Sequence, residues 1–243
     1  MWNPFFFFLI LAILFSCGEK PKEEVVKVKG KALVTLPVKP ETVKGIYTGN
    51  FNGSPISIVL NYVSNQHASG YNVHKGLTRN LSGTIRFANG KLQLQLAEPG
   101  NNPYDGLFSL EIDTATGKGK GAWKPLKKGE PTSFTFTKKI LKEFEGDYDL
   151  VYTDTLSNYL SLKPDGACTF SYLTDTTEKA QQLTIRGSYQ REKGIVTIFW
   201  QKNTVFPSGK SVFRTVKEKP YPEEDFEIES LKGEGRVFSE ISF

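Results

Sequence analysis

The sequence predicts an all-β protein made of two tandem, small antiparallel meander barrels, and three observations carry that expectation. From Gly45 onward, apolar and polar residues alternate with period two, and no helical period is sustained over a long stretch. Turn pairs interrupt the alternation at hairpin spacing, at Asn52-Gly53, Asn89-Gly90 and Thr116-Gly117. An Asn-Gly turn needs positive φ at both central residues, which these two residue types tolerate. The two halves also open alike, on Gly45-Ile46-Tyr47 and Gly146-Asp147-Tyr148. About eight short strands per half close most simply into a barrel, which leaves no unpaired edge; one larger barrel or a sandwich is the alternative.

Ahead of this body, residues 2–15 read WNPFFFFLILAILF, and the first charge in the chain is Glu19. The run is short of the roughly 20 residues a membrane helix needs and is followed at once by polar sequence, as in a cleaved signal segment. Leu14-Phe15-Ser16-Cys17 resembles a bacterial lipobox, in which a small residue precedes the cysteine that receives diacylglycerol. The resemblance implies a signal peptide over 1–16, cleavage before Cys17, and membrane attachment through lipid on Cys17, palmitate among the acyl chains. Two or three such chains anchor stably where one does not. Gly18 rather than Asp after the cysteine implies the outer membrane, with the face left open. An ordinary signal peptide or an uncleaved anchor is the alternative.

Residues 17–44 are dense in Lys, Glu and Pro and read as a tether behind the lipidated cysteine. As a flexible coil it would hold the body roughly 30 Å from the membrane; its Val-Lys-Val run could instead add an edge strand. The net charge of +5, from 31 basic and 26 acidic residues, owes much to this stretch. It implies mild steering toward anionic surfaces rather than a nucleic-acid partner.

The first barrel is expected over 45–139, with strands starting near Gly45, Pro55, His67, Thr78, Lys91, Tyr104, Lys118 and Ser133. The second is expected over 143–243. It runs through Asp147–Leu150, Leu160 and Leu162, the turn Pro164-Asp165-Gly166, then Cys168, Phe170 and Tyr172, and a hairpin through Lys193-Gly194 into Ile195–Ile198. With Cys17 lipidated, Cys168 has no partner in an oxidising compartment and reads as a small core residue on the face it shares with Phe170. Trp123 and Trp200 sit in alternating strands and are expected to pack inward.

The first half, through Gly45-Ile46-Tyr47-Thr48-Gly49, Ser69-Gly70-Tyr71, Leu94–Glu98 and Gly119-Lys120-Gly121-Ala122-Trp123, resembles a meander module of Bacteroidetes envelope proteins with no assigned activity. The second half, through Leu160–Gly166, Gly187-Ser188-Tyr189 and Gly194-Ile195-Val196, resembles lipocalin-like barrels and the N-terminal barrel of copper-stress and adhesion-sensing lipoproteins. The CxxC of those sensors is missing, so metal sensing is not implied. Resemblance of this kind speaks to fold and compartment more than to activity.

No catalytic set emerges. G-x-S-x-G and H-E-x-x-H are missing, and Gly209-Lys210-Ser211 lacks the upstream glycine of a phosphate loop. His67 and His74, seven apart, fall on opposite faces of a regular strand, so no metal site and no cofactor is expected. The polar segment around His74, Lys75 and Arg79, with Glu98, Tyr104 and Asp105, could line one barrel mouth and meet an anionic or sugar ligand; a hairpin loop with solvated charges is the preferred, plainer account. Thr114, Thr155 and Thr176 each follow an Asp, resembling an O-glycosylation acceptor pattern of Bacteroidetes envelope proteins, although Asp-Thr is common in turns. Tyr221-Pro222-Glu223-Glu224-Asp225 lacks calcium-loop spacing and reads as a solvated turn.

The function expected is a non-enzymatic envelope lipoprotein that presents barrel loops to a protein or envelope polymer. The alternative is a lipocalin-like carrier of a small hydrophobic ligand. The discriminating feature is the barrel interior, filled in the first case and hollow in the second.

Overall fold

The computed structural model describes residues 38–100, 102, 105–140, 149–175 and 179–241. The expected signal segment, Cys17, most of the tether, Tyr104, the Gly146-Asp147-Tyr148 opening of the second half and Thr176 lie outside them.

Two closed eight-stranded antiparallel barrels follow one another along the chain. The first comprises β1 (Gly45–Phe51), β2 (Ser54–Val63), β3 (His67–His74), β4 (Leu77–Ala88), β5 (Lys91–Ala97), β6 (Gly106–Asp113), β7 (Lys118–Pro125) and β8 (Thr132–Lys138). Each strand pairs with the next, and β8 returns to β1 through Tyr47↔Lys138, Thr48↔Thr137 and Gly49↔Phe136. The Asn-Gly turns adopt the positive φ their residues permit, 51° and 79° at Asn52-Gly53 and 54° and 76° at Asn89-Gly90. Lys75-Gly76 and Lys193-Gly194 make the same kind of turn.

Period-two alternation sends one side of every strand inward. Ile56, Ile58 and Leu60 of β2 meet Leu92, Leu94 and Leu96 of β5, Phe108 and Leu110 of β6, and Phe134 and Phe136 of β8 in one buried cluster. The rings of Phe108 and Phe134 cross edge to face at 6.2 Å. Their bulk explains the small residues of β7. A Cβ at Gly119 would lie 2.3 Å from the Phe136 ring, and one at Gly121 2.8 Å from the Phe134 ring.

The last residues expected as tether form a short helical turn, α1 (Pro40–Val43). Val43 is buried in the first core, the Tyr47 hydroxyl donates to its carbonyl oxygen at 2.5 Å, and Lys138 Nζ donates to the Thr42 carbonyl. The chain is therefore fixed to the first barrel from this turn onward.

The second barrel comprises β9 (Leu150–Thr153), β10 (Tyr159–Leu162), β11 (Ala167–Leu173), β12 (Gln182–Glu192), β13 (Ile195–Trp200), β14 (Lys210–Glu218), β15 (Ile228–Gly233) and β16 (Arg236–Glu240), with β16 closing on β9. Its interior holds Tyr152, Leu160, Leu162, Cys168, Phe170, Val196, Ile198, Phe213, Leu231 and Phe238. Trp200 stacks on Phe206 with centroids 4.5 Å apart and donates its indole N–H to Ser211 Oγ. Arg236 lies over the rings of Phe170 and Phe206, which covers that end of the barrel. At the opposite end the Tyr152 hydroxyl donates to Glu229 Oε1, and Glu229 pairs with Arg191.

β12 lies against β2 and β3, whose outward Ser57, Val59 and Val73 are buried. The Tyr71 hydroxyl donates to Asp165 Oδ2 at 3.0 Å, the Lys75 amide to Ser188 Oγ at 3.0 Å, and Lys139 Nζ to the Pro164 carbonyl at 3.0 Å.

Candidate functional site

The turns β1–β2, β3–β4, β5–β6 and β7–β8 all lie at one end of the first barrel, because alternate connections of an antiparallel meander share an end. That end gathers His74, Lys75, Arg79, Glu98 and Asp105. Glu98, one residue past β5, is 3% exposed. Its Oε1 accepts from Asn72 Nδ2 at 2.8 Å and lies 3.7 Å from the Arg79 guanidinium. Its Oε2 accepts the Gly106 amide at 2.6 Å and the Trp123 indole N–H at 3.1 Å. The carboxylate is thus held by groups from four other strands, and its acceptor capacity is committed within the fold.

Asp105 is also buried. Its Oδ2 accepts the Asn102 amide at 2.8 Å, and its carbonyl accepts the Leu126 amide, joining the β5–β6 and β7–β8 loops. His74 Nδ1 lies 3.1 Å from the Pro55 carbonyl, the distance of an N–H donated to it, and the ring meets Phe51 edge-on at 5.1 Å. Burial holds the imidazole below its ordinary pKa; the Pro55 carbonyl acts in the opposite sense. Phe51 in turn meets Trp123, which reaches Glu98. Lys75 is exposed beside the second barrel. Of the residues that the sequence groups together, His74, through Phe51 and Trp123, and Arg79 connect to Glu98 across the barrel end, with Asp105 buried beside them, while Lys75 stands apart against the second barrel. This geometry accounts for cohesion of that end, with His74, Glu98 and Asp105 turned to neighbours within the protein.

The larger open feature is one that sequence reasoning missed. A cleft of about 920 Å³ runs between the outer face of the first barrel and one end of the second. Thr48, Asn50 and Thr137 form part of one wall, and Tyr189, Gln190 and Arg191 part of the other. Thr48 is the cross-strand partner of both Ser57 and Thr137, so three hydroxyls sit in a row across β2, β1 and β8, with Asn50 two residues along β1. Thr135 is common to this cleft and to a second, of about 620 Å³, along β5–β8, where Gln95, Ser109 and Ser133 face outward. The alternation that places these polar side chains outward was visible in sequence. Which outward face would be opposed by the other barrel was not, since this depends on how the barrels pack.

Thr114 and Thr155 are exposed in turns. The preceding aspartates have local roles: Asp113 Oδ1 accepts the amides of Ala115 and Thr116, and Asp154 Oδ1 those of Leu156 and Asn158. Cys168 is 1% exposed, and burial pushes its thiol pKa well above the ordinary value, as for an inert core thiol. Among the described residues no three His, Cys, Asp or Glu side chains come together as metal ligands. The chain matches no known family model and shows no significant match to a curated protein.

Proposed function

We propose that this chain is a non-enzymatic, membrane-anchored envelope lipoprotein that binds through its outer surfaces, presenting the inter-barrel cleft to an envelope polymer or protein. The observation that carries the reading is that apolar side chains fill both barrel interiors, while the roomier polar feature lies outside them. Small barrels packed in this way leave little room for a carried ligand. A cross-strand row of hydroxyls with the Asn50 amide beside it suits a polymer rich in hydroxyls or amides, since each group can donate or accept. The apolar segment ahead of Cys17 supports export and lipid anchorage, at the outer membrane in this reading.

The test combines native mass spectrometry of protein extracted from its own membrane with photo-crosslinking from Thr137 and Gln190, on the two walls of the cleft. Adducts to an envelope macromolecule from these positions, and none from Arg214 on the outer face of β14, are the expected result. A small apolar molecule retained one per chain, with no adducts, would replace this reading with the carrier. The same mass measurement addresses glycosylation at Thr114, Thr155 and Thr176: unmodified peptides at all three would remove it from the proposal.

A further inference from the structure

The rim of the first barrel, at the end closed by Glu98, carries an unusual pairing of side chains. Leu126 is 56% exposed at the start of the β7–β8 loop, and Leu77 is 48% exposed where β4 leaves the β3–β4 turn. Lys124, Lys127 and Lys128 lie within two residues of the first, Lys75 stands two residues from the second, and all four lysines are exposed. Single exposed leucines are ordinary. Here two stand on the same barrel end, on β4 and just past β7, and each has lysines within two residues in the chain.

Leu126 is held in place rather than loosely exposed. Its amide donates to the Asp105 carbonyl at 2.9 Å. The loop also folds back on itself, since a Cβ at Gly129 would lie only 2.7 Å from Pro125 Cγ. The acids of this end do little to cancel the lysines. Glu98 is buried among Asn72, Arg79, Gly106 and Trp123, and Asp105 is buried beneath the loop, which among the described residues leaves Glu130 as the exposed carboxylate of the rim.

We propose that this rim docks the first barrel onto an anionic bilayer, with Leu126 and Leu77 entering the headgroup boundary while the lysines meet lipid phosphates. Interfacial binding combines these two terms, apolar area buried at the acyl boundary and attraction of lysines to anionic lipid. A soluble polyanion would engage the lysines and leave the leucines unused, which is why the bilayer is the partner favoured. The contact is independent of lipid on Cys17 and of any occupant of the inter-barrel cleft.

The test uses a chain starting at Val38, which contains both closed barrels and omits the lysine-rich stretch that could bind lipid itself. It is sedimented with vesicles of phosphatidylcholine alone and of phosphatidylcholine with phosphatidylglycerol. Binding is expected only with phosphatidylglycerol and is expected to weaken as salt is raised. Replacing Lys124, Lys127 and Lys128 by Ser should reduce it about tenfold or more. Leu126→Ser should also reduce it while leaving the salt dependence in place. Replacing Lys202, Lys217 and Lys219 of the second barrel by Ser removes equal charge elsewhere and should leave binding unchanged.

Equal binding to both vesicles, none to either, or equal loss in the two triple variants would overturn the proposal. So would indifference to Leu126→Ser together with equally tight binding of soluble polyphosphate, the result expected of a polyanion site. Unchanged circular dichroism melting of each variant separates loss of docking from loss of fold.

Discussion

Glu98 shows how much one buried carboxylate can hold together, because its partners come from β3, β4, β6 and β7. Glu98→Ala would leave the Asn72 amide, the Gly106 amide and the Trp123 indole without their acceptor and should destabilise the first barrel by about 3–5 kcal/mol. Urea unfolding followed by Trp fluorescence measures this; an unchanged midpoint would mean that the cluster contributes nothing net. His74 yields a pH prediction. Burial holds its folded pKa below the ordinary 6.5, so on acidification the unfolded chain takes up the proton first. The unfolded state then binds more protons just below pH 6.5. The stability contributed by neutral His74 is complete above that value and is lost as the pH falls toward the folded value. His74→Gln should flatten this part of the stability profile, and a variant profile parallel to the parent's would rule it out. The sequence placed His74, Arg79 and Glu98 near one another through strand order. It could not show that Glu98 is saturated, because Asn72, Gly106 and Trp123 reach it only once the barrel closes.

Among the elements, β2 carries the clearest trace of packing beyond its own barrel. Pro55-Ile56-Ser57-Ile58-Val59-Leu60 is buried on both faces, where a barrel strand exposed to water would alternate. A run without alternation signals that both faces are covered, and β12 lies against this one. Strand starts and turns were legible because hairpin chemistry is local. Missing alternation signals only that the outer face is covered; what covers it depends on how the barrels pack and is not written in the strand. The Tyr71 hydroxyl belongs to the same interface, its pKa pushed up to about 12 by burial and by the charge of Asp165, to which it donates. Gly76 tests the closeness of the barrels. Its φ is +73°, and a Cβ there would lie 2.7 Å from both the Arg186 carbonyl carbon and the Gly187 nitrogen, backbone atoms that cannot swing away. Gly53 occupies the equivalent place in the β1–β2 turn at φ +79°, with nothing within 4 Å. Gly53→Ala should cost only the left-handed conformation, about 1–2 kcal/mol. Gly76→Ala should cost at least about 1 kcal/mol more, as overpacking against a fixed wall does. Equal costs in urea unfolding would mean that the barrels separate freely at this turn.

Two barrels in contact can form one folding unit or two. Each buried cluster draws on strands of a single barrel, and no residue belongs to both. The links between barrels are a few polar contacts and one strand face, small beside either core. Residues 38–140 and 149–241 should therefore each fold when expressed alone, since a domain with its own core can in principle do so. The two should differ in strength. The first barrel closes through three paired positions, and Val43 of α1 adds to its core. The second closes through two, Ser239↔Thr153 and Glu240↔Tyr152, on strands of five and four residues. Its seam should open first, so amides of β9 and β16 should exchange with deuterium faster than those of β12 and β13. Freed from the first barrel, residues 149–241 should still unfold cooperatively in urea, at a lower midpoint than in the full chain. A non-cooperative transition in that fragment, with fast exchange throughout β12, would mean that the face laid against β2 and β3 is part of what folds the second barrel. The inter-barrel cleft would then be a rigid feature of one domain rather than a space between two.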